Sequence, residues 1–149
     1  SHLLMDSKGR IDHPGMYEYR WKYQIISDKI AFIEDYLAKM STMTEAIWLG
    51  PRTEARVDFR DIKRLASTGF QMNPVAVEVF GGLDAFIQKD VSSQPRKFAF
   101  VSSRGVQPGS MLVGDCLTYR DPDHYSVCGE KLAGEKLKSI LSTLDSKGP

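Results

Sequence analysis

Hydrophobic and polar positions alternate strictly from residue 17 to 25. Tyr17, Tyr19, Trp21, Tyr23 and Ile25 take the odd positions, and Glu18, Arg20, Lys22 and Gln24 the even ones. Successive side chains of a strand point to opposite faces, so the run predicts a β-strand with one aromatic and one charged face. The same alternation sets Ala55, Val57 and Phe59 against Arg56, Asp58 and Arg60, and Phe98 and Phe100 against Lys97 and Ala99. Val75, Val77 and Val79 alternate too, although Pro74 ahead of them also suits the first position of a helix. Ala46-Ile47-Trp48-Leu49 is a short apolar run stopped by Gly50-Pro51.

Elsewhere the period is helical. Ile30, Ile33, Leu37 and Met40 form one stripe and predict a helix over 28–41, capped by Ser27 or Asp28. Gly81-Gly82 breaks the valine run, and residues 83–91 then read as a short helix burying Phe86 and Ile87. Leu137, Ile140, Leu141 and Leu144 stripe a closing helix over 130–144. Residues 61–68 read as about one helical turn.

Residues 111–119 and 124–128 flank Arg120-Asp121-Pro122-Asp123, whose composition is that of a turn, and so predict a hairpin. Leu117 and Tyr119 must share a face with Tyr125 and Val127, which requires opposed residue numbers to have an even sum. A three-residue loop at 121–123 pairs Arg120 with His124 and sets Cys116 opposite Cys128. The two thiols are expected to be adjacent and reduced. Asp115 shares parity with Met111, Val113, Leu117 and Tyr119, and so falls on an apolar face. It should be hydrogen-bonded or have a raised pKa there, unless a bulge at Gly114 turns it outward.

Residues 1–15 read as a tag remnant, Ser1-His2-Leu3-Leu4 ahead of Met5, followed by a flexible leader. Residues 16–145 read as one domain and 146–149 as a tail. The expected class is α+β: a mostly antiparallel sheet of about six or seven strands, with helices packed on it and one of them C-terminal. Trp21 is expected in the core, against Ile33 and Leu37 or Ile140 and Leu144. Seven strand candidates and a closing helix resemble a pleckstrin-homology domain in architecture. The closing helix lacks that family's usual tryptophan, and a helix stands between the first two strands where the family has a hairpin.

Composition narrows the function more than the fold. The chain has 149 residues, 42% hydrophobic and 26% charged, which suits one folded domain. Twenty basic side chains against nineteen acidic ones leave a net charge of +1, which argues against bulk nucleic-acid binding. No uncharged run is long enough to span a bilayer. Two cysteines do not make a disulfide scaffold, so an intracellular, reducing compartment is expected, with peripheral placement at a membrane as a variant.

The chemistry-bearing clusters are few. Arg52, Arg56, Arg60, Lys63 and Arg64 form the densest basic group, suited to phosphate, but Glu54, Asp58 and Asp61 are interleaved with them. Tyr17, Tyr19, Trp21 and Tyr23 would line a ligand pocket or, on the simpler view, fill a core. Cys116, His124 and Cys128 lack the fourth ligand of a closed zinc site. Cys116 with His124 as base, or Asp115 and His124 with a serine, would sketch a nucleophilic site, yet no GxSxG elbow accompanies them. No cofactor motif is present. The reading is therefore a non-catalytic interaction module for a protein partner. The alternatives are a peripheral module for phosphoinositide headgroups, bound by the arginine cluster, and a small enzyme or ligand carrier with an aromatic-lined pocket.

Overall fold

The computed structural model describes residues 5–7, 23–55, 62–67, 69–72, 74–93, 98–121 and 124–145. In chain order these form β1 (Met5–Ser7), β2 (Tyr23–Ile25), α1 (Ser27–Met40), β3 (Ile47–Leu49), α2 (Ile62–Ser67), α3 (Pro74–Ser93), β4 (Ala99–Val101), α4 (Ser103–Val106), β5 (Leu112–Val113), β6 (Cys116–Leu117) and α5 (Val127–Asp145). Tyr17, Tyr19, Trp21, Arg56 and Arg60 lie outside the described residues, and with them the expected burial of Trp21.

The expected sheet of six or seven mostly antiparallel strands does not form among these residues, nor does a pleckstrin-homology barrel. Helices dominate, and the strands make three separate two-stranded pairs. β1–β2 and β5–β6 are antiparallel, whereas the central pair, β3–β4, is parallel, with Ile47 opposite Ala99 and Leu49 opposite Val101. A parallel pair needs a long crossover, which here contains α2 and α3.

Alternation along β4 sorts the helices into two layers. Phe100 packs with Trp48, their rings edge to face at 6.0 Å, in a core built from Ile30 of α1 and Val79, Phe80, Leu83 and Ile87 of α3. Val101 joins the opposite cluster, with Val106 of α4 and Ala133, Leu137 and Ile140 of α5. The strand pair is thus covered by α1 and α3 on one face and by α4 and α5 on the other.

The largest local correction is α3. The predicted strand at 75–79 and the predicted helix at 83–91 are one continuous helix. Ala76, Val79, Phe80, Leu83, Ile87 and Val91 are all buried, a helical stripe, while Val77 of the alternating set is 47% exposed. Pro74 occupies the start of the helix, where its missing N–H costs nothing. Gly81 does not break the helix: a Cβ there would strike the Arg104 guanidinium, so the glycine permits a close approach.

The hairpin is corrected as well. Residues 111–119 are not one strand, because the chain reverses at Gly114-Asp115 between β5 and β6. Gly114 has φ +56° at the first central position, the requirement of a type II′ turn. Asp115 is therefore exposed at a turn and not buried on an apolar strand. Downstream the expected register does occur: the Arg120 N–H donates to the His124 carbonyl at 3.0 Å, and Tyr119 bridges Tyr125. The second arm then turns helical at Val127, so Cys128 sits in the first turn of α5 and not on a strand. Cys116 and Cys128 are adjacent as expected but joined in a disulfide, not reduced.

Candidate functional site

The carboxyl ends of β3 and β4 converge on a buried carboxylate. β3 runs into Gly50-Pro51-Arg52-Thr53, and β4 into Ser102-Ser103. Asp84 of α3, 2% exposed, accepts hydrogen bonds from the Ser102 hydroxyl at 2.5 Å and the Ser103 N–H at 3.2 Å. This satisfies a charge that burial would otherwise penalise. Gly50 has no room for a side chain, since a Cβ would strike the Asp84 carboxylate and lie 2.9 Å from the Phe100 ring. The Ser103 hydroxyl donates to the Pro51 carbonyl at 2.5 Å. Both serines are thus committed to holding the strand ends together.

Thr53 is held from the end of α4 and from the hairpin. The Thr53 N–H donates to Gln107 Oε1, and Gln107 Nε2 donates back to Thr53 Oγ1, each at 2.9 Å. The Tyr119 hydroxyl donates to the Thr53 carbonyl at 3.1 Å. Tyr119 is fully buried, and its ring tilts against Tyr125 with centroids 5.0 Å apart. Burial, and then the neighbouring Tyr125, push the Tyr119 phenol well above its usual range. Burial raises Tyr125 as well, and the Arg52 guanidinium partly opposes this.

Arg52 lies over the Tyr125 ring, its guanidinium carbon 4.8 Å from the centroid, a cation–π contact. Beside it opens a cavity of about 310 Å³ bounded by β3, α4 and α5, with Leu49, Val106, Ala133 and Leu137 among its walls.

One residue before Tyr125 stands a histidine–carboxylate pair. His124 Nδ1 is 2.8 Å from Asp121 Oδ1 and 3.0 Å from Oδ2, and the His124 N–H also donates to Oδ1 at 2.8 Å. The carboxylate is fixed by the backbone turn and in turn orients the imidazole. Arg120 Nε stands 3.6 Å from Asp121 Oδ2. The ring of chain closed by Cys116–Cys128 contains both members of the pair.

Of the residues singled out from sequence, Arg52 is placed at this cavity, while Lys63 and Arg64 fall on α2 and Tyr23 on β2. The tyrosine that borders the cavity is Tyr125, from the hairpin. Cys116 is no nucleophile, because its sulfur is in the disulfide, and the same bond takes both sulfurs out of any zinc site. Asp115 is not the partner of His124; Asp121 is, three residues away across the turn. The spacing Asp-x-x-His in a turn was the available signal, since an aspartate side chain readily bonds backbone and side-chain groups a few residues on. Nothing short-range marks Tyr125 as the neighbour of Arg52, or Asp84 as the partner of Ser102 and Ser103.

No group of three or more metal-ligating side chains is close enough to hold an ion among the described residues, and no helix among them is long and apolar enough to cross a membrane. No protein-family model, curated protein or solved structure matches this chain.

Proposed function

We propose that the chain carries an acid–base site for hydrolysis or acyl transfer at an ester, with His124 as proton acceptor and Asp121 as its orienting carboxylate. The observation that carries this reading is the double grip on Asp121. The carboxylate receives the His124 N–H and also meets Nδ1, so the imidazole is held with Nε2 turned away from its partner. A base oriented by a carboxylate is the arrangement that general-base catalysis needs. As a stabilising device, an exposed pair of this kind is worth only about 0–1 kcal/mol.

A hydroxyl, of water or of a bound alcohol, attacks the ester carbonyl carbon while Nε2 takes its proton. Collapse of the tetrahedral adduct breaks the bond to the leaving oxygen, which recovers that proton from the imidazolium. Ser102 and Ser103, bonded to Asp84 and Pro51, are not assigned as nucleophiles.

The test is hydrolysis of p-nitrophenyl acetate. His124→Ala should lower the enzyme-dependent rate by about a hundredfold, the lower end of general-base effects, and Asp121→Asn by less, about tenfold. The two side chains are 57% and 41% exposed, and asparagine keeps an oxygen to accept the His124 N–H, so both variants should fold. A rate unchanged by either substitution sinks the reading.

A second reading, a module for a protein partner, draws on a different surface. Phe32 and Tyr36 of α1, four residues apart on one helix face, are 73% and 56% exposed, and Met43 just beyond is 74% exposed. Apolar side chains grouped at a surface mark interaction sites. Phe32→Asp with Tyr36→Asp should then abolish partner capture and spare ester hydrolysis. Of the basic cluster behind the phosphoinositide reading, Arg52 is the residue whose side chain is described, and it stacks on the Tyr125 ring.

A further inference from the structure

We infer that the cavity between β3, α4 and α5 binds a small monocarboxylate with an apolar body, its carboxylate on Arg52. The walls contributed by Leu49, Val106, Ala133 and Leu137 are aliphatic, and Arg52 is the one charged residue among those lining the cavity. Two of the other polar side chains there are already committed. The Ser103 hydroxyl donates to the Pro51 carbonyl, and both ends of the Gln107 amide are spent on Thr53. Arg52 has no acidic partner among the described residues and is placed by its contact with the Tyr125 ring. Stacking uses the flat face of a guanidinium and leaves the N–H groups at its edge to meet a carboxylate, often two at once.

Charge and size select the ligand class. One cation in an apolar wall balances one negative charge. A phosphate monoester carries about 1.5 to 2 negative charges at neutral pH and would bring uncompensated charge into that environment. The volume of about 310 Å³ corresponds to about ten water-sized portions of liquid, enough for a medium-chain or small aromatic acid. Gly134 sits in the lining with nothing within 4 Å of a Cβ built on it, so a larger side chain there can be accommodated without striking the fold.

This inference does not rest on the acid–base reading, because octanoate is not an ester and its binding requires no turnover. The experiment is calorimetric titration of the whole chain with sodium octanoate, with octylammonium and inorganic phosphate as the other two probes. Octanoate should bind saturably with one-to-one stoichiometry, and the other two should not. Arg52→Gln should weaken octanoate binding at least tenfold. Gly134→Leu, which fills the space and leaves the cation, should do the same, with circular dichroism confirming that each variant is folded. Equal binding of octylammonium, no binding of octanoate, or octanoate affinity unchanged in folded Gly134→Leu would overturn the assignment.

Discussion

Tyr119 joins fold and site through one hydroxyl, which ties the hairpin to the Thr53 carbonyl beside Arg52. Its proton is held more tightly in the folded protein than in the unfolded chain, where a tyrosine titrates near pH 10. Below about pH 10 both states keep the proton, and the stability it contributes is fully present. Above that pH the unfolded chain ionises first and binds fewer protons than the native state, so stability falls as pH rises. Tyr119→Phe should lose about 1 kcal/mol at pH 7 for the missing hydrogen bond and show a shallower decline between about pH 9.5 and 11. Urea midpoints across that range measure both effects, and parallel declines in the two proteins would contradict the assignment. At this scale the sequence is legible where interactions are local. The pairing of Arg120 with His124 follows from the turn, and its hydrogen bond is present. The sketch of His124 with Asp115 rested on residue type alone, whereas the turn brings Asp121 to the ring.

Glycines on α5 show how packing overrides propensity within one element. Gly134 has open space where a Cβ would be, and Gly134→Ala should raise stability by about 1 kcal/mol, the ordinary gain for replacing glycine inside a helix. At Gly129 a Cβ would collide with the Thr118 carbonyl, which is backbone and cannot swing away. Gly129→Ala gains the same propensity but forces the helix off the hairpin, at about 1–3 kcal/mol, so the net change should be a loss. Thermal melts of the two variants should move in opposite directions. α1 and α5 were legible because each exposes one face and carries one apolar stripe. α3 was not, because Val75, Val77 and Val79 alternate over its first turns and Gly81-Gly82 imitates a stop. Its burial on the strand pair decides the matter, with Phe80, Leu83 and Ile87 all inside.

For the whole molecule, the arrangement follows from a parallel pair with helices on both faces, and this was the least legible level. Two three-residue strands separated by two helices leave no short-range trace of their pairing. Parallel pairing carries the carboxyl ends of β3 and β4 to one edge, the place where open α/β sheets gather ligands. The Cys116–Cys128 bond then ties the hairpin to α5 across the loop that bears His124. A loop of this length predicts about 3 kcal/mol of stabilisation, so a Cys116→Ser, Cys128→Ser double variant should unfold at lower urea by that amount. Reductant should lower the wild-type midpoint and leave the double variant unmoved, and equal sensitivity in both proteins would count against the bond.

The central claim is that Asp121 holds His124 as a base with Nε2 available, and the protonation of the two ring nitrogens tests it most directly. Long-range proton–nitrogen correlation on the neutral imidazole of ¹⁵N-labelled protein reads which nitrogen carries the hydrogen. The account predicts the hydrogen on Nδ1, bonded to Asp121, in the wild type, and a shift toward Nε2 in Asp121→Asn. A wild-type ring protonated on Nε2 would contradict it.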